Sequence, residues 1–255
     1  MFQVKATVIG FDCDEEKYPC HFRYAIGDEI IYDGETISGR VCPAILPELG
    51  KTFKALQASG GRHKEGEDPG SYYPFWHSPY SLYDPSYKKY DGIGFKPTLE
   101  RPEEGYTFIP DETLFDTPPG GKYHVGKGTG RREFVLVCPD HHTLARFKIE
   151  AFDLSDKGDG IPYYRRAMSI LHKVLPKPGI AVNQILNEFS KDERDTIYPS
   201  LGQNMIAALI GELELMGYIE VKDGKATVTE KGLKKLDTFK ASLSAEEREA
   251  LRIET

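Results

Sequence analysis

Polar and apolar positions alternate along the first residues of the chain. Over residues 3–10, QVKATVIG, the side chains of Val4, Ala6 and Val8 share one face, the period-two pattern of a half-buried strand. Residues 22–32 predict a second extended stretch, broken by a turn at Gly27-Asp28. Residues 133–137, EFVLV, predict a third, which stops at Cys138-Pro139. A fourth is predicted over 144–152, LARFKIEAF, where Leu144, Phe147, Ile149 and Ala151 hold the apolar positions imperfectly. Between the second and third, residues 43–56 place Ile45, Leu46, Leu49, Phe53 and Leu56 at helical spacing. These segments predict a small mixed α/β domain over residues 1–155, assembled from two separated pieces of chain.

The pieces are separated by a long aromatic-rich insertion over about 60–130. It is dense in Gly and Pro and sustains no period of two or 3.6. Residues 71–90 read SYYPFWHSPYSLYDPSYKKY, with six tyrosines, Phe75 and the only tryptophan of the chain, Trp76. A segment without its own periodicity is ordered by tertiary packing if at all. Its rings are available either to roof a pocket, with Tyr72, Tyr73, Phe75, Trp76, His77 and Tyr80 as ligand contacts, or to fill a small core of their own.

Residues 153–162, DLSDKGDGIP, form a polar, glycine-rich boundary. Beyond it, residues 164–175 carry Ala167, Ile170, Leu171 and Val174 on one helical stripe, ended by Pro176-Lys177-Pro178-Gly179. Residues 181–189 predict a short second helix through Val182, Ile185, Leu186 and Phe189. A third runs from a Ser200 cap to Met216, with Leu201, Met205, Leu209, Leu213 and Met216 on one face and Gly217 as its stop. Residues 218–221 and 226–229 flank Lys222-Asp223-Gly224-Lys225, an Asp-Gly hairpin. A fourth helix follows from Glu230 to about Leu243, and residues 244–255 read as a polar tail. The order of helix, helix, long helix, hairpin, helix over residues 161–243 resembles the winged helix-turn-helix domains. The phrase LELMGYIEVKDGKATVTEKG is similar to the helix-to-wing passage of many bacterial and archaeal regulators. The expected fold class is therefore α+β, a small mixed α/β domain followed by a winged helix.

Charge changes what that resemblance implies. Of 33 basic and 40 acidic residues, 14 of each sign lie from Gly160 onward, which leaves 19 basic and 26 acidic before it. Neither part has the positive field of a protein that lives on phosphate backbones. The third predicted helix offers Gln203 and Asn204, then Glu212 and Glu214, and no basic residue. Phosphate contacts would fall to Lys222, Lys225, Lys231, Lys234 and Lys235, whereas strong specific binders neutralise roughly six to ten phosphates. Self-association as a homodimer, through the third helix or the tail, is expected ahead of nucleic-acid binding. No run of about eighteen apolar residues occurs and no signal peptide precedes the first strand, so no membrane partner and a cytoplasmic location are expected.

The candidate chemistry lies in the first domain. Its four cysteines, Cys13, Cys20, Cys42 and Cys138, are too few for a disulfide scaffold. Cys42 stands in Val41-Cys42-Pro43 and Cys138 in Val137-Cys138-Pro139-Asp140-His141-His142, each a thiol at a forced turn. Val4 to Ile9, Gly27-Asp28, Cys42-Pro43-Ala44 with Leu46, and Cys138-Pro139-Asp140 with Phe147 resemble a family of small, functionally uncharacterised cysteine-containing domains of anaerobic bacteria and archaea. The insertion and the winged helix depart from that family, and the resemblance implies geometry more than activity.

Three chemistries fit the groups. Cys138-x-x-His141 has the spacing of a metal knuckle, and Cys42 and Cys20, with His21 and Cys13 nearby, are available to complete a zinc or iron site. Alternatively Cys138 or Cys42 is a catalytic thiol activated by His141 or His142, with Asp140 as orienter. A strand-end cysteine is also a common core residue. Residues 121–127, GKYHVGK, imitate a phosphate-binding loop, but Gly128 replaces the magnesium-binding Ser or Thr and Pro118-Pro119 interrupts the preceding strand. The acidic group Asp12, Asp14, Glu15 and Glu16 lacks the glycine and terminal Glu of a calcium loop. The expected function is small-molecule binding or catalysis at a Cys/His site, with or without a metal, with the winged helix serving assembly. The alternative is a ligand- or metal-responsive winged-helix transcriptional regulator.

Overall fold

The computed structural model describes residues 1–59, 133–140, 143–195, 197 and 201–253. The chain is mixed α+β with antiparallel sheets and divides into two compact units. Among the described residues the first unit comprises 1–59 and 133–160, and the second 161–253.

The first unit is a five-stranded antiparallel sheet with one helix on it. The strands are β1 (Phe2–Phe11), β2 (Glu29–Tyr32), β3 (Ile37–Ser38), β4 (Glu133–Val137) and β5 (Ala145–Leu154), in the order β3-β2-β1-β5-β4. Alternation decides the faces: Phe2, Val4, Ala6 and Val8 of β1 are buried, as are Ala145, Phe147, Ile149 and Ala151 of β5. The register matches Val4 with Ala151, Ala6 with Ile149 and Val8 with Phe147, so apolar residues face apolar residues across the ladder. Helix α1 (Leu46–Ser59) lays Leu49, Phe53 and Leu56 on this face, with Ile45 just before it. Each such side chain contributes roughly 1.5–3 kcal/mol by burial. The Phe53 ring stacks on Tyr32 of β2 at 5.8 Å.

Two predicted strands are shifted, and the backbone gives the reasons. Of residues 22–32 only Glu29–Tyr32 pairs in the sheet. Before it, Arg23 has φ 54° and Gly27 φ 95°, and Ala25 and Asp28 close a turn through the Ala25 N–H to the Asp28 carboxylate at 3.0 Å. Leu144 likewise has φ 51°, so β5 starts at Ala145, and the inward phase belongs to Ala145 rather than Leu144.

The second unit contains α2 (Ile161–Val174), β6 (Ile180–Ala181), a 3-10 turn Val182–Glu188, α3 (Lys191–Asp195), α4 (Gln203–Leu215), β7 (Ile219–Lys222), β8 (Lys225–Val228), α5 (Glu230–Ser242) and α6 (Ala245–Leu251). Strands β6, β8 and β7 form a three-stranded antiparallel sheet. Asp223 and Gly224 both have positive φ, the conformation that a two-residue hairpin with this sequence requires. The predicted stripe Ala167, Ile170, Leu171 and Val174 is buried. The predicted second helix is a 3-10 helix, Val182–Glu188, and α4 begins after Gly202, Ser200 lying outside the described residues.

Two capping boxes build α3 and α6. The Ser190 hydroxyl accepts from the Glu193 N–H at 3.2 Å while the Glu193 carboxylate accepts from the Ser190 N–H at 2.7 Å. Ser244 and Glu247 repeat the exchange at 3.1 and 2.9 Å. The segment expected as a polar tail is thus a capped helix. Its Leu251 and Ile253 are buried, Arg165 bonds Glu247 at 2.6 Å, and Arg252 joins Ser190 and Asp192.

Candidate functional site

Three of the four cysteines border one cluster of the first unit's core. Cys20 lies between β1 and β2, Cys42 just before α1 and Cys138 at the end of β4. Cys20 and Cys138 are buried in the cluster that contains Val8, Tyr24, Ile45, Leu49 and Phe147, and the half-buried Cys42 packs against it. Charge on Cys42 or Cys20 would be felt at both Cys138 and Tyr24. All four cysteines are free thiols.

Local hydrogen bonds hold each approach. The Cys138 N–H donates to the Ala145 carbonyl at 2.8 Å, which closes the loop after β4 onto the start of β5. Within that loop the Asp140 carboxylate accepts from the Leu144 N–H at 3.1 Å and so accommodates the left-handed Leu144. Thr143, fully buried, donates through its hydroxyl to the Tyr18 carbonyl at 2.9 Å, tying the same loop to the segment after β1. Arg23, the other left-handed residue close to the thiols, donates its N–H to the Cys20 carbonyl at 2.8 Å. Such backbone positions cost of order 1–3 kcal/mol each and gather at functional sites more than elsewhere.

Burial pushes the Cys138 thiol up, to about 11; the Asp140 N–H works against this, and the Asp140 carboxylate, Cys42 and Cys20 add to it. At neutral pH Cys138 is therefore a protonated thiol in a mostly apolar setting, which is not the electropositive surrounding of an activated nucleophile. Burial also raises the Tyr24 phenol, although the Cys42 N–H bond opposes the shift.

The structure thus brings together Cys20, Cys42 and Cys138 of the predicted residues and adds Tyr24, which the sequence did not single out. Cys13 is half-buried, its N–H donating to the Thr143 carbonyl at 3.2 Å. His141, His142, Tyr73, Trp76, His77 and Tyr80 lie outside the described residues, as do residues 121–127. Among the described residues no group of three or more His, Cys, Asp or Glu side chains stands in an arrangement that could hold a metal ion.

In the second unit α4 packs against α2, the 3-10 turn and β7. Met205, Ile206, Ala208, Leu209, Ile210, Glu212, Leu213 and Met216 are all buried, so the apolar stripe expected to pair two chains is covered within one. Of the two acids expected on this helix, Glu212 turns inward and Glu214 is exposed. Lys222 pairs with Glu220 at 2.9 Å and Lys234 with Glu230 at 2.8 Å. Lys231 donates to the Met216 carbonyl at 2.7 Å and lies over the Tyr218 ring, and Lys235 lies over Tyr164. No helix among the described residues is long and apolar enough to cross a membrane. No protein-family model, no curated protein and no solved structure matches this chain.

Proposed function

We propose that the first unit is a binding module for a thiophilic transition metal, zinc or iron, with Cys20, Cys42 and Cys138 as its sulfur donors. The observation that carries this reading is that all three, from separate segments at residues 20, 42 and 138, line one core cluster. A thiol set of this kind suits zinc or iron, and the C-x-x-H spacing of Cys138 and His141 supplies a nitrogen donor. Binding the ion draws the three sulfurs into one coordination sphere and displaces their protons. A metal reading is preferred to a nucleophilic one because Cys138 lies buried in an apolar cluster, without the electropositive surrounding that activates a nucleophile.

The second unit, on this account, is a winged helix whose two expected pairing surfaces, the α4 stripe and the C-terminal segment, are covered within the chain. Its helix order and the three-stranded sheet that includes the hairpin support the fold assignment. Against groove reading stand the enclosed α4 and a hairpin in which Glu220 and Asp223 offset Lys222 and Lys225. Elemental analysis of protein purified without added metal tests the first part. About one equivalent of zinc or iron is expected in the wild-type chain, and much less in Cys20→Ser, Cys42→Ser and Cys138→Ser. Less than about a tenth of an equivalent in the wild type rejects it. Retardation of mixed DNA at low salt would overturn the second part and restore the regulator.

A further inference from the structure

Cys42 belongs to no strand or helix. It sits between Gly39, whose φ is 101°, and Pro43, on the loop that leads from β3 into α1. Its carbonyl accepts from the Ile45 and Leu46 N–H groups at 3.2 Å, which starts the helix. Its N–H points the other way and donates to the Tyr24 hydroxyl oxygen at 2.8 Å. That hydroxyl donates in turn to the Arg40 carbonyl at 3.0 Å. One phenol thus spans both ends of the Arg40-Val41-Cys42 turn. Its donor and an acceptor site are engaged there, which leaves the group suited to holding backbone rather than ligand.

The phenol is itself fixed. Tyr24 is buried, its ring edge-on to Phe147 of β5 at 5.3 Å and tilted against Phe22 at 4.9 Å. Arg40 adds a second tie between the same two segments, donating to the Phe22 carbonyl at 2.5 Å with its guanidinium 4.8 Å from the centre of the Phe22 ring. Segment 40–42 is therefore moored to segment 22–24 at four points, and segment 22–24 begins just after Cys20.

We propose that Tyr24 is a positioning residue for the thiol site, its hydroxyl holding the Cys42 backbone so that Cys42 stays packed against the cluster that contains Cys20 and Cys138. This rests on the metal-binding reading only for its consequence; the latch itself is a property of the metal-free chain. Groups that orient ligands without touching the ion typically change metal affinity by about 10–100-fold when removed. Tyr24→Phe keeps the ring and its packing and removes only the two hydrogen bonds.

The test uses the full-length chain and its Tyr24→Phe variant, both freed of metal. Iodoacetamide labelling read by peptide mass spectrometry reports on the latch: Cys42 should label several-fold faster in the variant, with Cys13 and Cys138 unchanged. An unchanged Cys42 rate overturns the assignment. An equal acceleration at Cys138 marks a general loosening of the core and overturns it too. Cobalt(II) titration reports on the consequence: the variant should bind about 10–100-fold more weakly, with a diminished sulfur-to-cobalt charge-transfer band per ion. If the wild type shows no such band while Cys42 labelling still accelerates, the metal reading fails and the latch stands. Equal affinity and equal band in both proteins overturn the positioning role.

Discussion

Replacing Gly232 by alanine tests the junction on which the second unit is built. Gly232 sits in the first turn of α5, directly against Tyr218, the residue just before β7. A Cβ there would lie 2.9 Å from the Tyr218 carbonyl carbon and 3.1 Å from its Cα, with the carbonyl oxygen nearer still. Relaxed contacts between carbons begin at about 3.5 Å. The Tyr218 carbonyl has little room to retreat, since it accepts from the Thr229 N–H at 3.0 Å and from the Thr229 hydroxyl at 3.2 Å. The same hydroxyl caps α5 by accepting from the Gly232 N–H at 3.0 Å. Overpacking of this kind costs about 1–3 kcal/mol, and a disturbed cap adds about 1 kcal/mol. Alanine's better helix propensity returns about 1 kcal/mol. The net expectation for Gly232→Ala is a loss of about 1–3 kcal/mol, or roughly 4–24 °C in the melting temperature of a unit this size. Gly211 is the control. It is exposed within α4 and a Cβ there meets nothing within 4 Å. Gly211→Ala should therefore stabilise by about 0.5–1 kcal/mol. Both variants would be followed by calorimetry and by circular dichroism. A Gly232→Ala protein that melts within 1 °C of the wild type, or a Gly211→Ala protein that falls as far, would refute the reasoning.

Other expectations follow from buried charge and from thiol exposure. Burial alone would raise the Glu193 carboxyl, but Lys173 at 2.8 Å and the Ser190 N–H and hydroxyl hold it below the usual carboxylate range. Because its folded value is lowered, its contribution is present above the ordinary pKa of about 4.3 and is lost as pH falls through the folded value. Chemical denaturation at a series of pH values should show a steeper acid loss in the wild type than in Glu193→Gln, and parallel curves would contradict this. Among the thiols, Cys13 and Cys42 should label quickly in the native metal-free chain and Cys20 and Cys138 slowly, with all four equal in denaturant; four equal native rates would contradict the burial pattern.

Much of the framework was legible because local rules and tertiary packing agree. The alternation of Val4, Ala6 and Val8 survives as the buried face of β1, and the Asp223-Gly224 pair adopts the positive φ values its composition demands. Misreadings fall where a single residue breaks the period. Leu144 reads as an inward strand residue, but its left-handed backbone hands that phase to Ala145. Phe22 and Tyr24 read as part of a long strand, whereas Arg23 turns the chain between them. Two serine-to-glutamate spacings, 190 to 193 and 244 to 247, carried capping boxes that composition alone left unnoticed. Helix α4 was legible as apolar, but its burial on more than one side depends on neighbours no periodicity names. The candidate site was legible only in part. Cys42 and Cys138 announce themselves by the proline that follows each. Their sharing of one core cluster with Cys20 is a tertiary fact, set by strand order, and Tyr24 gives no sequence signal at all beyond an aromatic in a turn.

X-ray absorption at the metal edge, on protein purified without added metal, tests the central claim most directly. A shell of three sulfurs at about 2.3 Å is expected in the wild-type chain, with most of the metal lost in Cys138→Ser. A shell of oxygen and nitrogen alone, or no bound metal in the wild-type chain, would contradict it.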